Sequence, residues 1–271
     1  MRVNSSQMIQ NVNQIGAQDK NLRKIYEKLA TGKNINNASD NASMLAMAKE
    51  LEKQTRGLKQ SDSNIGDALG ALSIAEGTGN EVSSMLQRQR ELSIQAQNGT
   101  LNNDDRKALN QEYQALSQEM TRISKAANYN GQGVADGSSA LSDGTGVVQA
   151  GAGANDKRTL NKVDFSNAGS GDISTAQGAA QALKSIDSSI KNVSSTRASI
   201  GSQMNALEHT QNNARNMNIQ QTAALSQVED LDYAQGVMDK SRAELLSQSS
   251  RQAAANFNSI AKSNMSALMQ G

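Results

Sequence analysis

The sequence predicts a mainly α protein: a long helical coiled-coil bundle with matched helices at its two ends and a small β-hairpin or irregular insert in the middle. Three observations predict it. Apolar residues recur at seven-residue spacing through both arms of the chain. Pro is absent, so nothing forces a helix to break. Gly gathers in one central stretch, with nine of the 21 glycines between 131 and 171.

The N-terminal segment, 1–32, carries Met8, Ile15, Leu22 and Leu29 at intervals of seven, with Val12 and Tyr26 on the same stripe. A polar joint follows at 33–43, within the stretch LATGKNINNASDNASMLAMA. Gly32 suits a left-handed helix C-cap, and Ser39 or Asp40 suits the N-cap of the next helix. Asn36 and its neighbouring amides can satisfy free backbone groups. Residues 44–130 hold a second seam, Met44, Leu51, Leu58, Ile65 and Leu72, which continues after Gly77-Thr78-Gly79 with Val82, Met85, Leu86 and Leu92. A shorter helix is expected over 104–128, capped by Asn103 or Asp104, with Leu109, Leu116, Met120 and Ile123 on one face.

The insert, 131–172, contains turn-rich pieces such as ADGSS and SDGTG. Its short apolar runs, Val147-Val148 and Val163 to Phe165, allow a small β-hairpin. From 173 to 229 the helical pattern returns as a strict 3–4 alternation from Leu183 to Val228, enough for a helix of roughly 70 Å. The last segment, 230–271, repeats Leu231, Met238 and Leu245, then Ala253, Phe257 and Ile260. Both end stripes are narrow and lie on helices too polar to be stable alone.

Composition restricts function. Leu, Ile, Val and Phe number 21, 14, 10 and 2, about 17% of the chain, while Asn and Gln supply 28 and 26 residues. So little large apolar surface makes a thick private core unattainable, and at a net charge of +1 self-repulsion is not what would keep the chain open. Burial is expected to be completed against other chains. Balanced charge, no Trp and six aromatic residues argue against nucleic acid. With no Cys and one His, His209, no clustered metal site is expected. His209 reads as a solvated or partly packed side chain. No cofactor and no catalytic residue is expected: Asp104-Asp105 and Glu229-Asp230-Asp232 suit helix starts, and no activated nucleophile is visible. The first twenty residues lack the apolar core of a cleavable signal peptide, and no segment is apolar enough to span a membrane.

The wording of both arms resembles bacterial flagellin. LATGKNINNASDNASMLAMA, IAEGTGNEVSSMLQRQRELSIQAQNGTLNNDDRKALNQEYQAL and ISKAANYNGQGV resemble its N-terminal region, and ISTAQGAAQALKSIDSSIKNVSSTRASIGSQMNALEHT resembles the start of its C-terminal region. The resemblance covers about 1–135 and 172–271. It implies a structural subunit of the flagellar filament: an antiparallel helical bundle (D1), terminal helices paired as an inner layer (D0), and the polar joint between them. It implies passage unfolded through the flagellar type III export apparatus without a cleaved signal, an extracellular filament of identical copies, a flagellin-specific export chaperone on 231–271, and hook-associated and cap proteins at the filament ends. In that layout Met8, Ile15, Leu22, Leu29, Leu231, Met238, Leu245, Phe257 and Ile260 would pack the D0 layer.

The insert leaves no room for the outer domains many flagellins carry. The usual aspartate-rich joint is reduced to Asp40-Asn41, and the usual Pro near the C-terminus is missing. A minor flagellin or a hook–filament junction protein therefore stays open as the second reading. LQRQRELSIQ resembles the segment that a TLR5-type vertebrate innate receptor recognises on monomeric flagellin, matching at Gln87, Arg88, Arg90, Glu91 and Leu92. The residues themselves equally suit packing, with Leu92 on the seam and Arg88 and Arg90 bridging carboxylates.

Overall fold

Long helices dominate the chain because its apolar seams hold a helical period over distances that no Pro interrupts. The computed structural model describes residues 2–269, with side chains described from Ile9 onward apart from 261, 264, 265 and 267–269. Met8, assigned to end-helix packing, lies outside the residues with described side chains. The helices are α1 (Arg2–Thr31), α2 (Ala38–Ala96), α3 (Asn103–Ala126), α4 (Ala176–Glu229) and α5 (Tyr233–Met269). Two antiparallel hairpins stand between α3 and α4: β1 (Asn128–Tyr129) with β2 (Gln132–Gly133), and β3 (Val147–Gln149) with β4 (Lys157–Thr159). The chain forms two compact units, Met1–Lys53 with Gln221–Gly271, and Gln54–Gln220.

In the larger unit the seams read from sequence are the core. Leu58, Ile65, Leu72, Val82, Leu86 and Leu92 of α2 are buried, as are Ile186, Val193, Ile200, Leu207 and Ala214 of α4. Each such Leu, Ile or Val contributes about 1.5–3 kcal/mol relative to exposure. α2 runs unbroken through Gly77-Thr78-Gly79. At Gly79 an added Cβ would stand 2.9 Å from Cζ of Phe165 and 3.1 Å from Cγ of Arg197, so a ring and a guanidinium stem occupy the space a side chain would take.

Polar rungs cross from α2 to α4 at two-heptad intervals along α2. Asp62 accepts from Arg215 Nε at 2.8 Å, Glu76 from Arg197 Nη2 at 2.7 Å, and Arg90 Nε donates to Asp187 at 2.8 Å. Their register is antiparallel, rising on α2 as it falls on α4. Arg197 sits within the α4 seam and is half-buried, and ion pairs at such positions add little net stability.

Two helix starts differ from the expected ones. α3 is capped by Asn102, not by Asn103 or Asp104. Asn102 is extended (φ −80°, ψ 173°), its side chain accepts from Asp105 N–H, and the Asp105 carboxylate accepts from Asn102 N–H, a reciprocal capping box. α2 is kinked at Asn41 (φ −164°, ψ 102°), whose Oδ1 accepts from Met44 N–H at 3.1 Å. The cap of the long helix is thus Asn41 rather than Ser39 or Asp40. Asp40 is engaged elsewhere, and Ser39 is exposed.

The insert is more structured than its Gly content suggests. β3 pairs with β4, with Val147 opposite Thr159, whereas Val163 and Phe165 stand outside both strands and are buried in the helical core. The hairpin partner of Val147-Val148 is therefore Lys157–Thr159. The second hairpin, β1–β2, turns on Asn130 (φ 50°) and Gly131 (φ 79°), the left-handed pair a two-residue hairpin turn needs. A strap at 169–173 closes over the core. Fully buried Gln89 donates from Nε2 to Gly169 O at 3.1 Å, to Tyr113 O at 3.1 Å and to Ser117 Oγ at 2.7 Å. Burial pushes the nearby Tyr113 phenol up to about 12, so it stays neutral.

Candidate assembly surfaces

The terminal unit joins α1, α5 and the joint. Gly32 takes φ 70° and its N–H donates to Lys28 O at 2.9 Å, closing α1. The chain then runs antiparallel to the segment before α5: Asn34 N–H donates to Glu229 O at 2.7 Å and Leu231 N–H to Gly32 O at 2.9 Å. Ile35 is buried beneath this pairing, and Lys33 Nζ meets the buried Glu229 carboxylate at 2.5 Å. That hydrogen bond raises the Lys33 pKa.

The Asp40 carboxylate accepts from the N–H groups of Asn37 and Asn36 at 3.1 and 3.2 Å, which holds its pKa below the usual aspartate value. Lys24 lies 3.7 Å away. Asn36 Nδ2 donates to Lys33 O, and Asn37 Nδ2 to Glu27 Oε1 at 2.9 Å. The amides of the joint thus satisfy backbone and carboxylate groups within the unit.

α1 and α5 lie antiparallel. Asp19 accepts from Arg251 Nη2 at 2.8 Å, and Tyr26 hydroxyl donates to Glu244 at 2.6 Å with Lys240 Nζ 5.3 Å from the ring centroid. Ile15, Leu22 and Leu29 of α1 are half-buried here. The face α5 turns to them is built of small residues: Gly236, Ala243 and Ser247 are buried, Ala254 is half-buried, and Phe257 closes the row, also half-buried. An added Cβ on Gly236 would stand 3.1 Å from both Leu29 and Leu231.

Apart from Phe257, the large apolar residues of α5 point elsewhere. Met238 is 59% exposed, Leu245 68% and Ile260 58%, and Ile9 and Val12 of α1 are also exposed. Leu231 precedes α5 rather than lying on it, because Asp232 Oδ1 accepts from Gln235 N–H and caps the helix there. The seven-residue row Leu231, Met238, Leu245 is therefore not the contact with α1. A small-residue row beside it is, since small side chains let two helices approach closely. Met44, at the start of the α2 seam, is exposed as well. Beside the joint lies a cleft of about 590 Å³ lined by Lys24, Lys28 and Arg242, by Asp40, Asp232 and Asp239, and by Ile25, Leu231 and Leu246.

On the larger unit, Gln87, Arg88 and Glu91 of α2 are exposed, while Leu92 is fully buried and belongs to the core rather than to any accessible patch. Arg88 Nε donates to Glu112 at 2.8 Å and Nη1 to Glu91 at 3.1 Å, and Arg90 is half-buried on Asp187. Exposed Ile94 stands on the same helix. His209 is exposed on α4. Among the described residues no group of three His, Cys, Asp or Glu side chains could hold a metal ion, and no helix is long and apolar enough to cross a membrane.

Comparison with known proteins adds family information to this geometry. The bacterial flagellin N-terminal helical region matches residues 3–140, and the bacterial flagellin C-terminal helical region matches residues 183–268. A flagellin from Halalkalibacterium halodurans is 36% identical over 244 residues, spanning 87% of this chain and 88% of the relative. The crystal structure of Bacillus cereus flagellin is 29% identical, with a TM-score of 0.50, over 56% of this chain and 88% of that one. A putative flagellar hook-associated protein from Vibrio parahaemolyticus has a TM-score of 0.57 over 70% of this chain and 100% of that one, but at 17% identity the likeness is one of fold alone.

Proposed function

The chain belongs to the bacterial flagellins, and from that premise we propose that its terminal unit completes its core only against other copies of itself. It is a structural subunit of the extracellular flagellar filament, not an enzyme. The observation that carries the proposal is the outward face of α5 and α1, where Met238, Leu245 and Ile260 stand exposed while small residues fill the contact within the pair. Water-exposed apolar rows on two helices too polar to be stable alone gain about 1–2 kcal/mol per side chain when a neighbour covers the part still exposed. Ile15, Leu22, Leu29, Leu231 and Phe257, already half-buried, complete their burial in the same step.

Before assembly the same α5 row is the surface an export chaperone would cover, because an amphipathic stripe needs a groove until its final partner arrives. The type III export apparatus would carry the chain to the tip, with cap and hook-associated proteins at the ends of the filament. A chaperone that bound a Met238→Asp, Leu245→Asp chain as tightly as the parent would remove that role for the row.

Seeded growth tests the assembly reading. Heat-dissociated protein cooled with filament fragments is expected to give long filaments of uniform width without surface projections, seen by negative-stain electron microscopy. Stable monomers or short rings would instead place the chain with the hook–filament junction proteins.

The exposed group Gln87, Arg88 and Glu91 carries a second surface reading, recognition of the monomer by a TLR5-type receptor, with Arg90 at its edge. Arg88 presents a planar donor set on the exposed face of α2, though its two carboxylate partners already engage it. Arg88→Ala monomer is expected to activate receptor-bearing cells more weakly than the parent, and equal activation would exclude this role.

A further inference from the structure

We propose that Asn98 is a self-modification site, where the side-chain amide is set to lose ammonia through a succinimide closed by the backbone nitrogen of Gly99. The reaction has three requirements. The attacking nitrogen must be unhindered and unbonded, the side-chain carbonyl must be held back against the following peptide, and the charge left when the N–H proton departs must be stabilised. The turn between α2 and α3 meets all three.

Asn98, Gly99 and Thr100 are exposed. An added Cβ on Gly99 would meet nothing within 4 Å, and among the described residues its N–H donates to no acceptor. Asn98 Oδ1 accepts from Thr100 N–H at 3.2 Å. This folds the side chain over the Gly99 nitrogen and polarises the carbonyl that nitrogen would attack. Asn98 O belongs to the same peptide as the attacking nitrogen. It accepts from Arg106 Nη2 at 2.9 Å and from Leu101 N–H at 3.3 Å. When Gly99 N loses its proton, negative charge spreads to that oxygen, where a permanently charged guanidinium already points. Arg106 is fixed there by a second bond, Nε to Ala96 O at 2.9 Å.

The step balances without an oxidant or reductant. Gly99 N gives its proton to solvent and bonds Asn98 Cγ, the Cγ–Nδ2 bond breaks, and ammonia leaves with a proton returned from water. Water then opens the imide at either carbonyl, giving an aspartyl or isoaspartyl residue at position 98. Either product puts a carboxylate near the C-terminal end of α2, where the helix dipole disfavours it, and the isoaspartyl form also lengthens the backbone of a short turn. Conversion would mark and loosen the α2–α3 turn as a molecule ages.

The chain carries its own control. Asn130–Gly131 is the other Asn–Gly pair. Both residues are held at positive φ by the β1–β2 hairpin. Among the described residues the Asn130 side chain makes no bond two residues on, and no cation meets its carbonyl.

The test is to age the folded full-length chain at mildly alkaline pH, then digest it and follow acid and isoaspartyl forms at each Asn by mass spectrometry. Asn98 is expected to convert before Asn130. Arg106→Gln is expected to slow Asn98 about ten-fold, equivalent to 1.36 kcal/mol in the barrier, without changing Asn130. Arg106→Lys, which keeps a positive charge in the turn, should retain more of the rate than the Gln variant. Circular dichroism of both variants checks that the helices persist. Earlier conversion of Asn130, or an Asn98 rate unchanged or raised by Arg106→Gln, would overturn the assignment.

Discussion

Met238→Asp combined with Leu245→Asp is expected to abolish filament growth while the larger unit melts as in the parent. Both side chains are more than half exposed in the single chain, so the substitutions disturb few contacts within it. Full burial of such a side chain from full exposure is worth about 1.5–3 kcal/mol, so covering the exposed part of each gains about 1–2 kcal/mol. Scaled to the part of each side chain still exposed, losing both costs about 2–4 kcal/mol per added subunit, and at 1.4 kcal/mol per decade the critical concentration rises roughly thirty- to several-hundred-fold. Burying a carboxylate in an apolar contact adds a further penalty. Sedimentation of seeded samples over a concentration series reads the critical concentration, and circular dichroism reads the fold. A variant that polymerised at the parent's concentration would show that the outward α5 row is not an assembly surface.

Comparison with Ala243→Leu separates the two faces of α5. Ala243 is buried on the small-residue row against α1, so a larger side chain forces the pair apart, at about 1–3 kcal/mol. That variant acts on the terminal unit before any neighbour arrives. It is expected to loosen α1–α5 in the monomer, whereas the Asp pair leaves monomer helicity intact.

These two faces show where sequence reading succeeded and where it stopped. In the larger unit large apolar residues repeat on the face that is actually buried, so the 3–4 alternation of α4 located its core side chains one by one. On α5 of the terminal unit the repeated large residues Met238, Leu245 and Ile260 do not mark the internal contact. Gly236, Ala243, Ser247 and Ala254 form it, and a search for large apolar residues passes over a row of small ones. Leu92 lies both on the seam and within the receptor-like segment, and its full burial makes it a core residue.

The caps were legible as residue types but not as positions. Joint and α3 start are both rich in Asn and Asp, and which one caps depends on what the others bond. Asp40 is taken by two backbone N–H groups of the joint, leaving the cap to Asn41. The β1–β2 hairpin has a local signal, the Asn130–Gly131 pair, but its flanking strands are only two residues long and show no alternation. Pairing of Val147-Val148 with Lys157–Thr159 had no apolar signal, since β4 is exposed along its whole length.

The larger unit depends on one side chain from the insert, and Phe165→Ala is expected to destabilise it by about 3–5 kcal/mol. Phe165 is 1% exposed and its ring fills the space beside Gly79, against the stem of Arg197. Its N–H donates to Ala135 O at 2.8 Å, tying two parts of the insert together over the core. Truncation leaves a cavity next to the Arg197–Glu76 rung, where Glu76 Oε2 is already buried without a hydrogen-bond partner among the described residues. Water entering there would also weaken the Arg197–Glu76 pair. For a unit of this size each kcal/mol lowers the midpoint by about 2–4 °C, giving a fall of roughly 6–20 °C. Urea unfolding distinguishes the alternatives. If the insert belongs to the helical core, the midpoint drops with the slope unchanged, because the same surface is exposed in one transition. If the insert unfolds separately, the substitution produces an early, shallow transition and leaves the main midpoint in place. That second result would reduce the insert to a covering over a core made by α2, α3 and α4 alone.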